Sequence, residues 1–333
     1  MKNRPIVAIT IGDINGIGPE VIVKALAQAE IRQRCLPLIV GPIEVLRQQA
    51  KNFAANFEFR QVAKPEALLT IGTELPVLSP DFSGAVRPEP GRISAKSGEI
   101  AGWALEQAVE LAQNRKVDAI VTAPIAKLAF NLAGYHYPGH TEFLQERTYA
   151  RDFLMLLLSG NFRVGLVTTH YPISEVANLI TRTTVFSKIK LFHHDLRTRF
   201  GIAKPQLAVA ALNPHGGEGG MFGQEETKSI GPAIQAAKRL GMAVQGPFAA
   251  DTLFAATERH DFDGYLAMYH DQGLIPLKMK AFGRAVNYTA GLPIIRTSPD
   301  HGTAFDIAGQ GVADPGSMVE AIKLAIALAS KTD

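Results

Sequence analysis

The stretch IVAITIGDINGIGPE, residues 6–20, opens on an apolar run that does not alternate with polar residues, then passes through a glycine-spaced turn into a helical start. A short run of this kind reads as a strand buried on both faces, which is the mark of a largely parallel sheet covered by helices on each side. Similar runs recur at 36–40, 117–122, 153–158, 164–169, 207–212 and 265–269. Helical patterns fall between them. Residues 97–113 place Ile100, Trp103, Leu105, Ala108 and Leu111 at roughly helical spacing, and 227–240 and 317–328 supply further helices. The alternation of the two patterns gives an α/β fold. Within the opening stretch, Gly12, Gly16 and Gly18 match neither a dinucleotide fingerprint nor a P-loop, so GDINGIGPE reads as a tight turn. Residues 80–96, rich in Pro, Ser and Gly, are expected to form a long loop or a boundary.

At 333 residues the chain exceeds the usual size of one domain, so two lobes are expected. Its 34 basic and 31 acidic residues leave a net charge of +3, too balanced to point to nucleic acid or a membrane surface. Cys35 stands alone, which excludes an internal disulfide and a cysteine metal site and fits a reducing cytoplasm. The N-terminal apolar stretch is too short for a signal peptide, and no run approaches a membrane span.

Three of the nine histidines end or closely follow an apolar strand, in RVGLVTTH (163–170), QLAVAALNPH (206–215) and DGYLAMYH (263–270). Ligands of open α/β sheets bind outside the carboxyl ends of strands, so His170, His215 and His270 are placed to converge on a metal. A hydrogen-bonded loop histidine is the alternative for any one of them. Asp271 and Gln272 offer supporting acceptors. Three imidazoles with open positions suit Zn²⁺ or Co²⁺, and Mg²⁺ only with carboxylate or water ligands. His193 and His194 read as structural; His136 and His260 carry no signal.

PGHTEF (138–143) precedes a helical pattern, where backbone N–H groups and Thr141 suit either a phosphate or a plain capping box. Lys278, Asn287 and Arg296 supply a point charge, an amide and a bidentate donor, as a phosphate monoester requires; solvated surface residues are the alternative. His301 and Asp306 lie in a glycine-spaced loop whose ligand the spacing does not specify.

Taken together, GDINGIGPE, TAPIAK, PGHTEF, TTHYPI, HHDLRTRFGI, LNPHGGEGG, GPFAADTLF, AMYHDQGLIPLK and FGRAVNYTAGLPIIRTSPDHGTAFDIAGQG resemble the PdxA family of 4-hydroxythreonine-4-phosphate dehydrogenases, over nearly the whole chain. The resemblance implies metal ligands at His170, His215 and His270, and substrate contacts from His140, Thr141, Lys278, Asn287 and Arg296. It implies a two-lobed α/β/α fold of the isocitrate and isopropylmalate dehydrogenase type with a cleft between lobes. Residues 1–130 with 290–333 would form the cofactor lobe, and 131–289 the metal, substrate and dimerisation lobe. NAD or NADP would bind through HGTAFDIAGQG, with Gly302, Ala304, Asp306 and Ala308 near the adenosine. A homodimer with the site between subunits is also implied, one ligand, His270, coming from the partner chain. Departures are few: the family usually has Pro and Ala where Ile14 and Asn15 stand, and often Asn where Ala126 stands.

The expected reaction oxidises 4-phosphooxy-L-threonine at C3 in vitamin B6 biosynthesis, with Zn²⁺, Mg²⁺ or Co²⁺, followed by loss of CO₂ to give 3-amino-2-oxopropyl phosphate. Asp251, Asp271 and a metal-bound water are candidates for the base. The same chemistry on a phosphorylated four-carbon sugar acid, such as 4-phospho-D-threonate or D-erythronate, is the alternative. A zinc hydrolase and a metal-sensing or nucleic-acid-binding module are the rivals from other classes.

Overall fold

The computed structural model describes residues 4–63, 74–80, 86–255, 262–281 and 283–331. Twelve strands are defined among them: β1 (Ile6–Thr10), β2 (Leu36–Val40), β3 (Phe59–Val62), β4 (Leu75–Leu78), β5 (Ala119–Thr122), β6 (Leu154–Ser159), β7 (Phe162–Leu166), β8 (Gln206–Ala210), β9 (Ala243–Phe248), β10 (Gly264–Ala267), β11 (Val286–Ala290) and β12 (Arg296–Pro299). All seven apolar runs are strands. His260 lies outside the described residues, as does the 81–85 part of the expected 80–96 loop.

The chain divides into two compact units, Met1–Ala150 with Leu292–Lys331, and Arg151–Gly291. In the first, β3-β4-β2-β1-β5-β12 form a wholly parallel sheet. Helices Gly18–Ala27, Ala95–Gln113 and Gly316–Ala329 bury Val21, Ile22, Leu105, Met318 and Ile322 within this unit. Ser94 caps the second of these helices: its hydroxyl accepts from the Ser97 N–H at 3.0 Å. The described part of 80–96 therefore lies inside a unit and marks no boundary.

The first crossing between units lies at Ala150, beyond the expected 130. The reason is packing: helices Lys127–Leu132 and His140–Arg147 stay with the first unit, where Phe130 meets Phe143 edge-on at 5.9 Å and stacks on Tyr135 at 4.6 Å. Arg147 also pairs with Glu106 on helix Ala95–Gln113 at 2.8 Å. His140 and Thr141 consequently belong to the same unit as Arg296.

The second unit orders its strands β11-β6-β7-β10-β8-β9. Here two pairings depart from the largely parallel pattern: β6 pairs antiparallel with both β7 and β11. Only Gly160 and Asn161 separate β6 from β7, and a parallel pair would need a crossover many residues long. From β7 through β10, β8 and β9 the pairing is parallel. Val164, Leu166, Ala208, Tyr265 and Ala267 pack in one core with Leu274 and Leu277 of helix His270–Ala281. That core fixes the helix at the strand ends from which the histidines project.

Candidate active site

His170, His215 and His270 follow β7, β8 and β10, three neighbours in the second unit. The ends of β7 and β10 are tied together ahead of their histidines: the Val167 N–H donates to the Ala267 carbonyl at 2.9 Å, and the Thr168 hydroxyl to the Met268 carbonyl at 2.8 Å. The rings of His170 and His270 consequently lie 5.7 Å apart between centroids. Asp271 Oδ1 stands 2.7 Å from His270 Nδ1, an arrangement common behind metal-bound imidazoles. Gln272 joins the third strand to this pair. Its Oε1 accepts from the Met268 N–H and its Nε2 donates to the Ala211 carbonyl, both at 2.7 Å.

His270, expected from a partner chain, thus lies beside His170 of its own chain. Among the described residues no three His, Cys, Asp or Glu side chains converge as a metal site, so His215 does not complete the pair. Two imidazoles, one backed by a carboxylate, fit a borderline cation such as Zn²⁺ or Co²⁺ better than Mg²⁺, which prefers oxygen. Asp251 and Asp271 line one groove of about 570 Å³ with Phe254, Tyr269, Gln272 and Met279. Lys278 is exposed on helix His270–Ala281. Asn287 faces Leu157 across the β11–β6 pair, and its Oδ1 is buried with no hydrogen-bond partner among the described residues.

A second cluster lies in the first unit. Arg296 opens β12, only 2% exposed, and donates through Nε and Nη2 to Thr122 Oγ1 at 3.1 and 2.7 Å. Burial lowers its pKa to about 10, opposed by the Glu142 carboxylate, so the guanidinium keeps its charge at neutral pH. His140 heads helix His140–Arg147, and its Nε2 is buried with no hydrogen-bond partner among the described residues. Burial first, and then the positive Arg296, hold its pKa well below 6.5, so the ring is neutral. Thr141 is buried beside it in the chain. A buried cation and an unsatisfied imidazole nitrogen at a helix N-terminus are suited to an anion. Thr122 escaped the sequence reading, although a hydroxyl closing a fully buried strand was a signal that it meets something polar.

The candidate cofactor residues Gly302, Ala304, Asp306 and Ala308 lie in a loop of turns, 301–311. GDINGIGPE is its scaffold: the Ile17 N–H donates to the Thr303 carbonyl at 3.0 Å, and a Cβ on Gly16 would come within 2.8 Å of that oxygen. Asn15 shapes the neighbouring segment, accepting from the Glu89 N–H at 2.7 Å and donating to the Arg92 carbonyl at 2.8 Å. Asp13 is buried and bonded to the Asn15 N–H and Ser97 hydroxyl. The glycine-spaced turn thus spends its polar groups on the fold, with Gly12 at φ 70° where a Cβ would strike the Pro124 carbonyl. Ala304 has φ 44°, an uncommon conformation for a residue with a Cβ.

The family model described as "Pyridoxal phosphate biosynthetic protein PdxA" matches residues 33–325. The chain is 42% identical over 330 residues to a 4-hydroxythreonine-4-phosphate dehydrogenase of Desulforapulum autotrophicum, covering 99% of this chain and 97% of that one. It is 43% identical to a D-threonate 4-phosphate dehydrogenase of Salmonella typhimurium over 97% and 98% of the two chains, so overall identity does not choose between these substrates. A crystal structure of 4-hydroxythreonine-4-phosphate dehydrogenase from Klebsiella pneumoniae matches with TM-score 0.88 at 38% identity, over 98% of this chain and 99% of that one. A terephthalate 1,2-cis-dihydrodiol dehydrogenase from Burkholderia xenovorans matches with TM-score 0.66 at 31% identity, over 97% and 98%. With its family model matched over most of its length, and relatives at this identity from end to end, the chain belongs to the PdxA family of pyridoxal phosphate biosynthetic proteins.

Proposed function

We propose that the protein oxidises the C3 hydroxyl of 4-phosphooxy-L-threonine with NAD or NADP, and that the β-keto acid formed loses CO₂ to give 3-amino-2-oxopropyl phosphate. The observation that carries this reading is the buried Arg296 beside the unpartnered Nε2 of neutral His140, a receptor for the phosphate. Thr141 adds a hydroxyl, and Lys278 and Asn287 are the further cation and amide proposed to contact the substrate. Anchoring the phosphate at C4 leaves C3 and the carboxylate for the chemistry.

His170, His215 and His270 would hold the divalent cation, Zn²⁺, Co²⁺ or Mg²⁺. Bound there, it supplies positive charge that lowers the pKa of the hydroxyl and polarises the ketone. NAD or NADP, with Gly302, Ala304, Asp306 and Ala308 near its adenosine, would supply the hydride acceptor. Asp271 is engaged with His270 and orients that ring. Asp251, exposed in the same groove, is left as the carboxylate to take the C3 hydroxyl proton. Hydride leaves C3, the C1–C2 bond then breaks with release of CO₂, and a proton is taken up at C2.

A single chain that brings together two of three histidines is what a ligand set completed in a homodimer leaves behind. Large apolar side chains flank these histidines: Tyr171 and Ile173, Met221 and Phe222, and Ile275 and Met279 are all exposed, as expected of a face that a second copy covers. Among the described residues no helix is long and apolar enough to cross a membrane. Cys35 is buried and its thiol is pushed up to about 12, which suits a cytoplasmic protein that needs no disulfide.

D-threonate 4-phosphate is the second reading, favoured by relatives of that name at equal identity. The deciding experiment measures NADH or NADPH formation with 4-phosphooxy-L-threonine, D-threonate 4-phosphate and D-erythronate 4-phosphate. Preference for the amino acid is expected; turnover of a sugar acid alone would overturn that substrate while retaining the chemistry.

A further inference from the structure

His215 sits in a turn of uncommon backbone. From His215 to Gly220 every residue has positive φ: 52°, 66°, 78°, 44°, 66° and 104° in order. The glycines adopt this region freely, but His215 and Glu218 carry a Cβ and need their surroundings to impose it. Glu226 does so. This carboxylate is 5% exposed and belongs to a single π-helical turn, Glu226–Ile230, a rare form found mostly as isolated turns at functional sites. Its Oε1 accepts from the N–H groups of Leu212 and Asn213 at 2.9 and 2.8 Å, and its Oε2 from Asn213 Nδ2 at 3.0 Å. Asn213 also donates to Glu225 Oε2 at 2.7 Å, and its carbonyl accepts the Gly216 N–H that closes the turn. A Cβ on Gly217 would meet Glu226 Oε2 at 2.6 Å, so the carboxylate occupies the space that glycine leaves.

We propose that Glu226 is a positioning residue for His215: it fixes the chain after β8 and the left-handed turn, so that the imidazole is presented in one direction to the divalent cation. This rests on the reading of His215 as a ligand. Among the described hydrogen bonds the backbone N–H groups of Leu212 and Asn213 both go to Glu226, while Glu225 accepts from the Asn213 side chain. Glutamine is an incomplete replacement, because its NH₂ would face the NH₂ of Asn213, donor against donor.

The test is Zn²⁺ affinity of the metal-free full-length protein, by competition with a chromophoric chelator, alongside thermal melting and rates at increasing Zn²⁺. Glu226→Gln is expected to stay folded, bind Zn²⁺ about 10- to 100-fold more weakly and recover its rate as Zn²⁺ is raised. Gly217→Ala displaces the carboxylate without changing charge, is expected to act in the same direction, and keeps the test open if Glu226→Gln does not fold. His215→Ala should weaken binding at least as much. Wild-type affinity in His215→Ala would remove the ligand reading, and the positioning role with it. Weakened binding in His215→Ala with wild-type affinity in Gly217→Ala and Glu226→Gln would overturn the positioning role alone.

Discussion

Burying a guanidinium costs several kcal/mol unless its donors are met, and Arg296 meets that cost with Thr122 and the nearby Glu142 carboxylate. Lysine cannot reproduce the planar fork. Arg296→Lys is therefore expected to raise KM for the phosphorylated substrate about 10- to 100-fold, the loss of one charged hydrogen bond, with a smaller change in kcat. Steady-state kinetics check this, and an unchanged KM would remove Arg296 from the phosphate site. His140 makes a separate prediction, because its pKa is depressed in the fold. As pH falls through about 6.5, the unfolded chain binds a proton that the native ring refuses, so this residue lowers stability on the acid side. Urea unfolding of wild type and His140→Gln at about pH 7.5 and about pH 5.5 should show the wild type losing more stability between the two. Equal losses would mean that the ring titrates normally.

Helix Ala95–Gln113 shows how closely the elements approach. A Cβ on Gly98 would lie 1.9 Å from the Ala129 carbonyl oxygen. Gly98→Ala must push helix Lys127–Leu132 away, at an expected cost of about 3 kcal/mol, visible as a lower Tm; an unaltered Tm would contradict the contact. Strands with continuous apolar runs were legible without the structure because burial on both faces is written in their own residues. β3, with Arg60 and Gln61 exposed between buried ends, and β12, reading RTSP, were not. Their identity comes from the neighbours they pair with. The histidines at the strand ends were legible for the same reason as the strands. The left-handed turn of His215 and the carboxylate of Glu226 were not, since that contact spans a loop and a π-turn with no periodic signature. The family's usual Pro and Ala at positions 14 and 15 are here Ile14 and Asn15, and only the structure shows Asn15 bracing the 89–94 segment.

For the whole molecule, activity is expected to turn on the divalent cation that the histidines would hold. Overall identity to relatives of two substrate names leaves the choice of substrate to kinetics, and the proposed metal and histidines would serve either one. Reduction of NAD by the chelator-treated protein, followed with 4-phosphooxy-L-threonine before and after adding Zn²⁺ or Co²⁺, is the most direct measurement. The expected result is loss of NADH formation on chelation, its return with metal in the wild type, and a fall of at least about 100-fold in His170→Ala and His270→Ala, consistent with loss of a charge-stabilising contact in the transition state. Undiminished NADH formation after complete removal of metal, or in those two variants, would contradict the account.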